Sequence, residues 1–282
     1  MSIDKPWLNT AAAAGVPIAV YQMGKVGSRT IINSLENLQL PDSVHHLHML
    51  SHIVMSRDSG DSVQIRNSRV IREYLDSAAD QPLRIITGVR EPIAQSISSL
   101  FQNLKSLRPD LIADDGSWDE TGVLSFVADE LRNFDPVTDW FASWFDHDFE
   151  PAIGINVYDN PFDHEAGHVK ITKGNLSVLI LRLENSSTWA ETITEFLGLD
   201  ELLQLKSANT AANKTYDAVY RSVKSNLNLD EETVDRFYGT KQCRHFYSAE
   251  MISEFRTKWL SETALKAARV SESLIRAARP KV

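Results

Sequence analysis

The chain of 282 residues contains one cysteine, Cys243. No internal disulfide can form, so nothing in the sequence calls for an oxidising compartment, and the chain reads as cytoplasmic. Long apolar runs are also missing: no segment approaches the roughly 20 residues that a membrane helix needs. Ahead of Ala11–Ala14 there is no basic region, and that alanine run is too short for a secretory core, so no signal peptide is expected. Positive charge is in the minority, with 29 Lys and Arg against 38 Asp and Glu, a formal net charge of −9. A general nucleic-acid binder wants a basic face, and this balance argues against one. An anionic ligand must therefore be met by a few placed cations. Internal repeats and low-complexity tracts are absent too. What remains is 43% hydrophobic and 24% charged, enough to bury a sizeable core.

Four short apolar runs read as strands: 17–23, 44–50, 83–89 and 178–183. Helical patterns lie at 30–38, 63–78, 92–104 and 121–131, with Pro92 at a first-turn position and Thr188 with Glu191 at capping-box spacing. This alternation predicts an α/β fold with a central, mainly parallel sheet flanked by helices. From about Ala190 the pattern is helical only, broken at Gly198, Asp230, Gly239 and Ser248. With no linker ahead of it, the stretch from about 190 to 282 is taken as a helical cover on a single domain spanning 1–282.

Between the first strand and the first helix lies Gly24-Lys25-Val26-Gly27-Ser28-Arg29-Thr30. A strand–loop–helix turn aims backbone N–H groups and the positive end of a helix at one spot. Gly24 and Gly27 let the backbone bend and approach a ligand. Lys25 and Arg29 add charge, and Ser28 and Thr30 add hydroxyls. Charge-assisted hydrogen bonds contribute roughly 1.5–3 kcal/mol each against about 0.3–1 for the helix terminus, so the cations dominate. The loop is not that of a nucleoside-triphosphatase, which needs four residues between its glycines and a Gly-Lys-Ser/Thr ending. Nor does any apolar strand end in an Asp suited to magnesium; no metal is expected.

A second strand, turn and helix runs from Leu83 to Ser98, with Arg90 at the strand's end and Ser98 about two helical turns along, so that a guanidinium fork and a hydroxyl can converge on one phosphate. Together these two segments resemble the sulfotransferase superfamily. Lys25, Gly27, Ser28 and Thr30 match its 5'-phosphosulfate loop, and Arg90, Pro92 and Ser98 match its 3'-phosphate motif. The resemblance implies a P-loop-NTPase-like fold and a donor, 3'-phosphoadenosine 5'-phosphosulfate, whose sulfuryl group passes to an acceptor hydroxyl. The cofactor-binding residues it implies are Gly24, Lys25, Val26, Gly27, Ser28, Arg29, Thr30, Arg90 and Ser98. A finer similarity is to bacterial sulfotransferase-like proteins of capsular polysaccharide synthesis. It rests on Tyr21–Ser28, Val89–Pro92, Gly154–Tyr158, Asn213–Tyr216 and His245–Ser248, and it implies a glycan acceptor.

Transfer to a hydroxyl needs a base with a pKa near working pH, and histidine suits. In Val44-His45-His46-Leu47-His48, strand alternation puts His46 and His48 on one face. His48, nearer the carboxyl end of the strand, is the first candidate base and His46 the second. A carboxylate base, and a purely structural histidine cluster, stay open. Lys25 would stabilise the leaving phosphate. A magnesium-dependent kinase and a non-catalytic nucleotide-binding protein are the alternatives.

Three features point elsewhere. His164-Glu165-Ala166-Gly167-His168 has zinc-peptidase spacing, but Pro161 and Gly167 make it a poor helix. Trp140, Phe141, Trp144 and Phe145 are spaced for helical core packing, with a sugar-stacking wall as the alternative. Lys241, Arg244 and His245 either cover the donor or are solvated charges. Acceptor identity and oligomeric state are not readable.

Overall fold

A computed structural model describes residues 15–36, 38, 40, 43–56, 60–77, 80–206 and 215–260. In chain order its elements are β1 (Ile18–Tyr21), α1 (Ser28–Leu35), β2 (Val44–Leu47), α2 (His52–Met55), α3 (Val63–Ser77), β3 (Leu83–Val89), α4 (Pro92–Leu107) and α5 (Glu120–Arg132). Then follow α6 (Trp140–Trp144), a π-helical turn at Phe145–Phe149, α7 (Glu150–Ile153), β4 (His168–Lys173), β5 (Leu176–Arg182) and α8 (Trp189–Leu197). The chain continues through α9 (Asp217–Asn226), α10 (Glu231–Tyr238), α11 (Lys241–Phe246) and α12 (Ala249–Trp259). It divides into two compact units, Met1–Arg90 with Ser143–Thr210, and Glu91–Ala142 with Ala211–Val282.

The first unit holds a five-stranded sheet in the order β2-β1-β3-β5-β4. The pairings β2–β1, β1–β3 and β3–β5 are parallel, and β4–β5 is antiparallel. β4 is the strand that the sequence pattern does not reveal: only Ile171 of its six residues is buried, so an edge strand with a polar face lacks the apolar signal of its neighbours. In the register Val20 lies beside His46 and Ile86, so these side chains share a face. That face is packed under α1 and α8 through Ile18, Val20, Ile31, Leu35, Leu179, Leu181, Trp189 and Ile193. The opposite face carries Tyr21, which meets Trp144 edge-on at 4.8 Å and stacks on Phe149 at 5.4 Å. Trp144 and Phe145 are thus core residues, as their spacing suggests. Thr188 does not form the capping box read from its spacing: its hydroxyl donates to Asn185 O, and no side chain caps α8. Thr188 has φ −97° and ψ 0°, not the extended backbone of a capping residue, and it closes the preceding 3-10 turn over Leu183–Thr188.

The second unit is helical. Pro92 stands in the first turn of α4, and the carboxylate of Glu91, 3% exposed, accepts the N–H groups of Ile93 and Ala94 at 2.8 Å each and the Tyr238 hydroxyl at 2.7 Å. Asp119, Asp230, Thr240 and Ser248 cap α5, α10, α11 and α12 through side-chain oxygens that accept backbone N–H groups. Gly239 ends α10 and Gly198 ends α8, both as read from sequence.

Candidate active site

β1 lies between β2 and β3, and its outgoing connection leads to β2 while the next leads across it to β3. The strand order therefore reverses at β1/β3, and open parallel sheets bind ligands in the crevice at the carboxyl ends of such strands. Two of the sequence-predicted segments end there: the 24–30 loop follows β1, and Arg90 follows β3.

Within the loop Lys25 has φ 70°, the one non-glycine residue with positive φ among the described residues. Such a backbone costs about 1–2 kcal/mol and persists only where its surroundings impose it. Arg90 contributes to that imposition, for its Nη1–H donates to Lys25 O at 3.0 Å. Gly27 has φ 94°, and a Cβ there would lie 2.7 Å from Cη2 of Trp189. Glycine is required on both counts. Gly27 O accepts Thr30 N–H at 3.0 Å and opens α1, and no side chain caps that helix. Its first N–H groups are left for water or an anion. Val26 is buried and anchors the loop, Ser28 is 8% exposed, and Arg29 is exposed. Gly24 and Thr30 complete the loop as half-exposed residues. Ser98 lies half-buried on α4 of the second unit.

The histidines stand on β2, beside β1. The rings of His46 and His48 meet edge-on with centroids 4.6 Å apart, as strand alternation requires, although β2 ends at Leu47 and His48 lies just beyond it. His48 Nδ1 is 2.7 Å from Gln22 O. A carbonyl can only accept, so Nδ1 carries the proton and Nε2 keeps its lone pair. Burial lowers the His48 pKa, opposed by the bond to Gln22 O. His46 is 9% exposed, and its pKa falls to about 4 through burial first, then the neighbouring His48 and Arg29 charges. Both rings are neutral at pH 7.

Several supporting residues carry no motif and were not legible as site residues. Gln22 is fully buried with neither amide atom hydrogen-bonded among the described residues, and its Oε1 faces the α-carbon of Gly88. His46 Nε2 is likewise unpaired. Asp148, fully buried, accepts the Tyr21 hydroxyl at 2.5 Å and the N–H groups of Leu50 and Ser51 at 3.0 and 2.9 Å. With the Trp144 Nε1–H donating to His48 O at 2.9 Å, it clamps the chain just after the histidines to the end of β1. Asp148 sits within an aromatic stretch in the sequence and shows nothing but its charge.

The peptidase-like string is not helical: 164–167 form a turn, and His168 opens β4. Lys241, Arg244 and His245 lie on α11 in the second unit, and Asn213 and Lys214 lie outside the described residues.

Residues 129–248 match the family NKWYS, described as "Putative capsular polysaccharide synthesis protein". That similarity points to glycan-related biosynthesis. It includes Gly154–Tyr158 and His245–Ser248, and the loop at 24–30, the histidines and Arg90 all lie ahead of the matched stretch. No curated protein and no solved structure matches the chain.

Proposed function

We propose that the chain is a sulfotransferase that moves a sulfuryl group from 3'-phosphoadenosine 5'-phosphosulfate to a hydroxyl of a saccharide, on a P-loop-like sheet. The observation that carries this reading is His48, a neutral imidazole with Nδ1–H held by Gln22 O and Nε2 unprotonated, just beyond the end of β2 and beside the strand that leads into an uncapped, cation-bearing loop at the sheet's switch point. Lys25, Arg29 and the uncapped end of α1 form a set of donors suited to the 5' phosphosulfate. Arg90 spends one N–H on Lys25 O and keeps the rest of its fork for a phosphate. The role of Ser98 rests on the sequence resemblance alone. The Gln22 amide and His46 Nε2 are buried polar atoms of this site that lack partners among the described residues, and such atoms belong beside water or a ligand.

In the reaction the acceptor oxygen forms a bond to sulfur as the bond from sulfur to the 5'-phosphate oxygen breaks. The hydroxyl proton passes to Nε2 of His48, and the charge left on the phosphate meets the Lys25 ammonium. The match at 129–248 supports a saccharide as the acceptor.

Calorimetry against 3',5'-diphosphoadenosine without added metal tests the reading. Binding to the wild type, weakened about tenfold or more in Lys25→Ala and Arg90→Ala, is the expected result. Failure of the wild type to bind would end it. Incubation with labelled donor and a panel of saccharides, read by mass spectrometry, then tests transfer itself.

A further inference from the structure

The second unit contains a cavity of about 290 Å³, near the lower end of the roughly 300–1,000 Å³ usual for ligand pockets. It has room for one ring, not for a nucleotide. Its lining holds the carboxylates of Glu130, Asp135 and Asp139 and the amide of Asn133, with no cationic side chain among the described residues. Carboxylates and amides accept hydrogen bonds from hydroxyl and amine donors, while phosphate, sulfate or a uronate would meet uncompensated negative charge. Asp139 is already penalised by burial, which raises its pKa against the Ala142 and Phe141 N–H groups it accepts. A donor from a ligand favours its charged form.

Three phenyl rings complete the wall. Phe134 and Phe237 are stacked on one another with centroids 3.8 Å apart, so their facing sides are committed. Phe141 is half-buried and remains for the apolar face of a sugar ring. Of the four aromatics at 140–145, it is this one that lines the cavity, while Trp144 and Phe145 are core. From α4 the cavity takes Ser96, Ser99 and Leu100. At about 100° per residue these lie roughly 100–200° around the helix from Ser98, so the cavity is on a different side of α4 from the residue assigned to a phosphate. The rest of its lining falls inside the stretch that matches the polysaccharide-synthesis family.

We infer that this cavity is a saccharide-binding site that takes one uncharged or amino-bearing sugar ring of a glycan. It does not depend on the sulfuryl donor, and it stands or falls by separate measurements.

The full chain is titrated calorimetrically with chitotriose, with its de-N-acetylated triamine and with trigalacturonate, and hydrogen–deuterium exchange is followed with chitotriose present. The first two trimers should bind and trigalacturonate should bind at least tenfold more weakly. Asn133→Ala and Asp139→Asn should each weaken chitotriose binding tenfold or more, while Asp115→Asn, an exposed carboxylate outside the cavity, leaves it unchanged. Exchange in the wild type, which needs no variant to fold, should slow at 96–100 and 130–141. No binding by either non-acidic trimer, trigalacturonate binding as tightly, or protection confined to other segments would overturn the inference. Lys25→Ala should keep its chitotriose affinity, so loss of donor binding and loss of sugar binding are told apart.

Discussion

Acidification should destabilise this protein through His46 in particular. The residue is 9% exposed, its Nε2 has no hydrogen-bond partner among the described residues, and its pKa lies at about 4 in the folded chain. In the unfolded chain it returns to the ordinary value near 6.5. A depressed folded pKa means that the unfolded state binds the proton more readily. Stability is thus fully present above pH 6.5 and is lost as the pH falls toward 4. The full difference of about 2.5 units amounts to about 3 kcal/mol at 1.36 kcal/mol per unit, and the part lost between pH 7 and 5 is about 2 kcal/mol. His46→Gln removes the titration while keeping a polar side chain. Urea unfolding at pH 7 and pH 5 should show the wild type losing about 2 kcal/mol more than the variant, since carboxylate contributions common to both cancel in the difference. NMR of the histidine Cε1–H should show His46 neutral at pH 5. A His46 midpoint near 6.5, or equal pH dependence in the two proteins, would refute the burial argument.

His48→Ala should lower transfer to a saccharide about 10²- to 10⁴-fold while 3',5'-diphosphoadenosine still binds. The wild-type rate should hold as pH falls through 6.5 and drop only below it, because burial lowers the His48 pKa; a break above 6.5 would contradict the assignment. Gly27→Ala places a Cβ 2.7 Å from Trp189 at a φ of 94° and should cost about 2 kcal/mol or more in thermal or chemical unfolding, with unchanged stability as the contrary result. Asp148→Ala strips the acceptor from the Tyr21 hydroxyl and the Leu50 and Ser51 N–H groups; a loss of about 3–5 kcal/mol is expected, against about 1–3 for Tyr21→Phe, and equal losses would show that the two backbone bonds contribute nothing.

Much of the architecture follows from local pattern. β1, β3 and β5 are largely apolar runs, and strands buried on both faces are legible in that way, whereas β2, Val-His-His-Leu, is apolar only at its ends. Helix ends at Gly198, Asp230, Gly239 and Ser248 were equally legible, since capping uses side chains next to the backbone they serve. β4 was hidden because an edge strand is stabilised by pairing with β5 and not by its own apolar content. The capping box at Thr188 had the right spacing, but its backbone continues a preceding 3-10 turn and is helical where a cap is extended.

The same boundary runs through the candidate site. By itself the sequence determined the chemical types, a loop of glycines, Lys25 and Arg29, an arginine at Arg90 and a pair of histidines two apart, because each is a matter of residues a few positions from one another. Only the tertiary structure decided that Arg90 braces the backbone of Lys25, that Gln22 O sets the tautomer of His48, and that Asp148 ties the end of β1 to the chain beyond β2. The separations there are 65, 26 and 127 residues. Contacts of that range arise from strand order and burial, which no short window of sequence encodes.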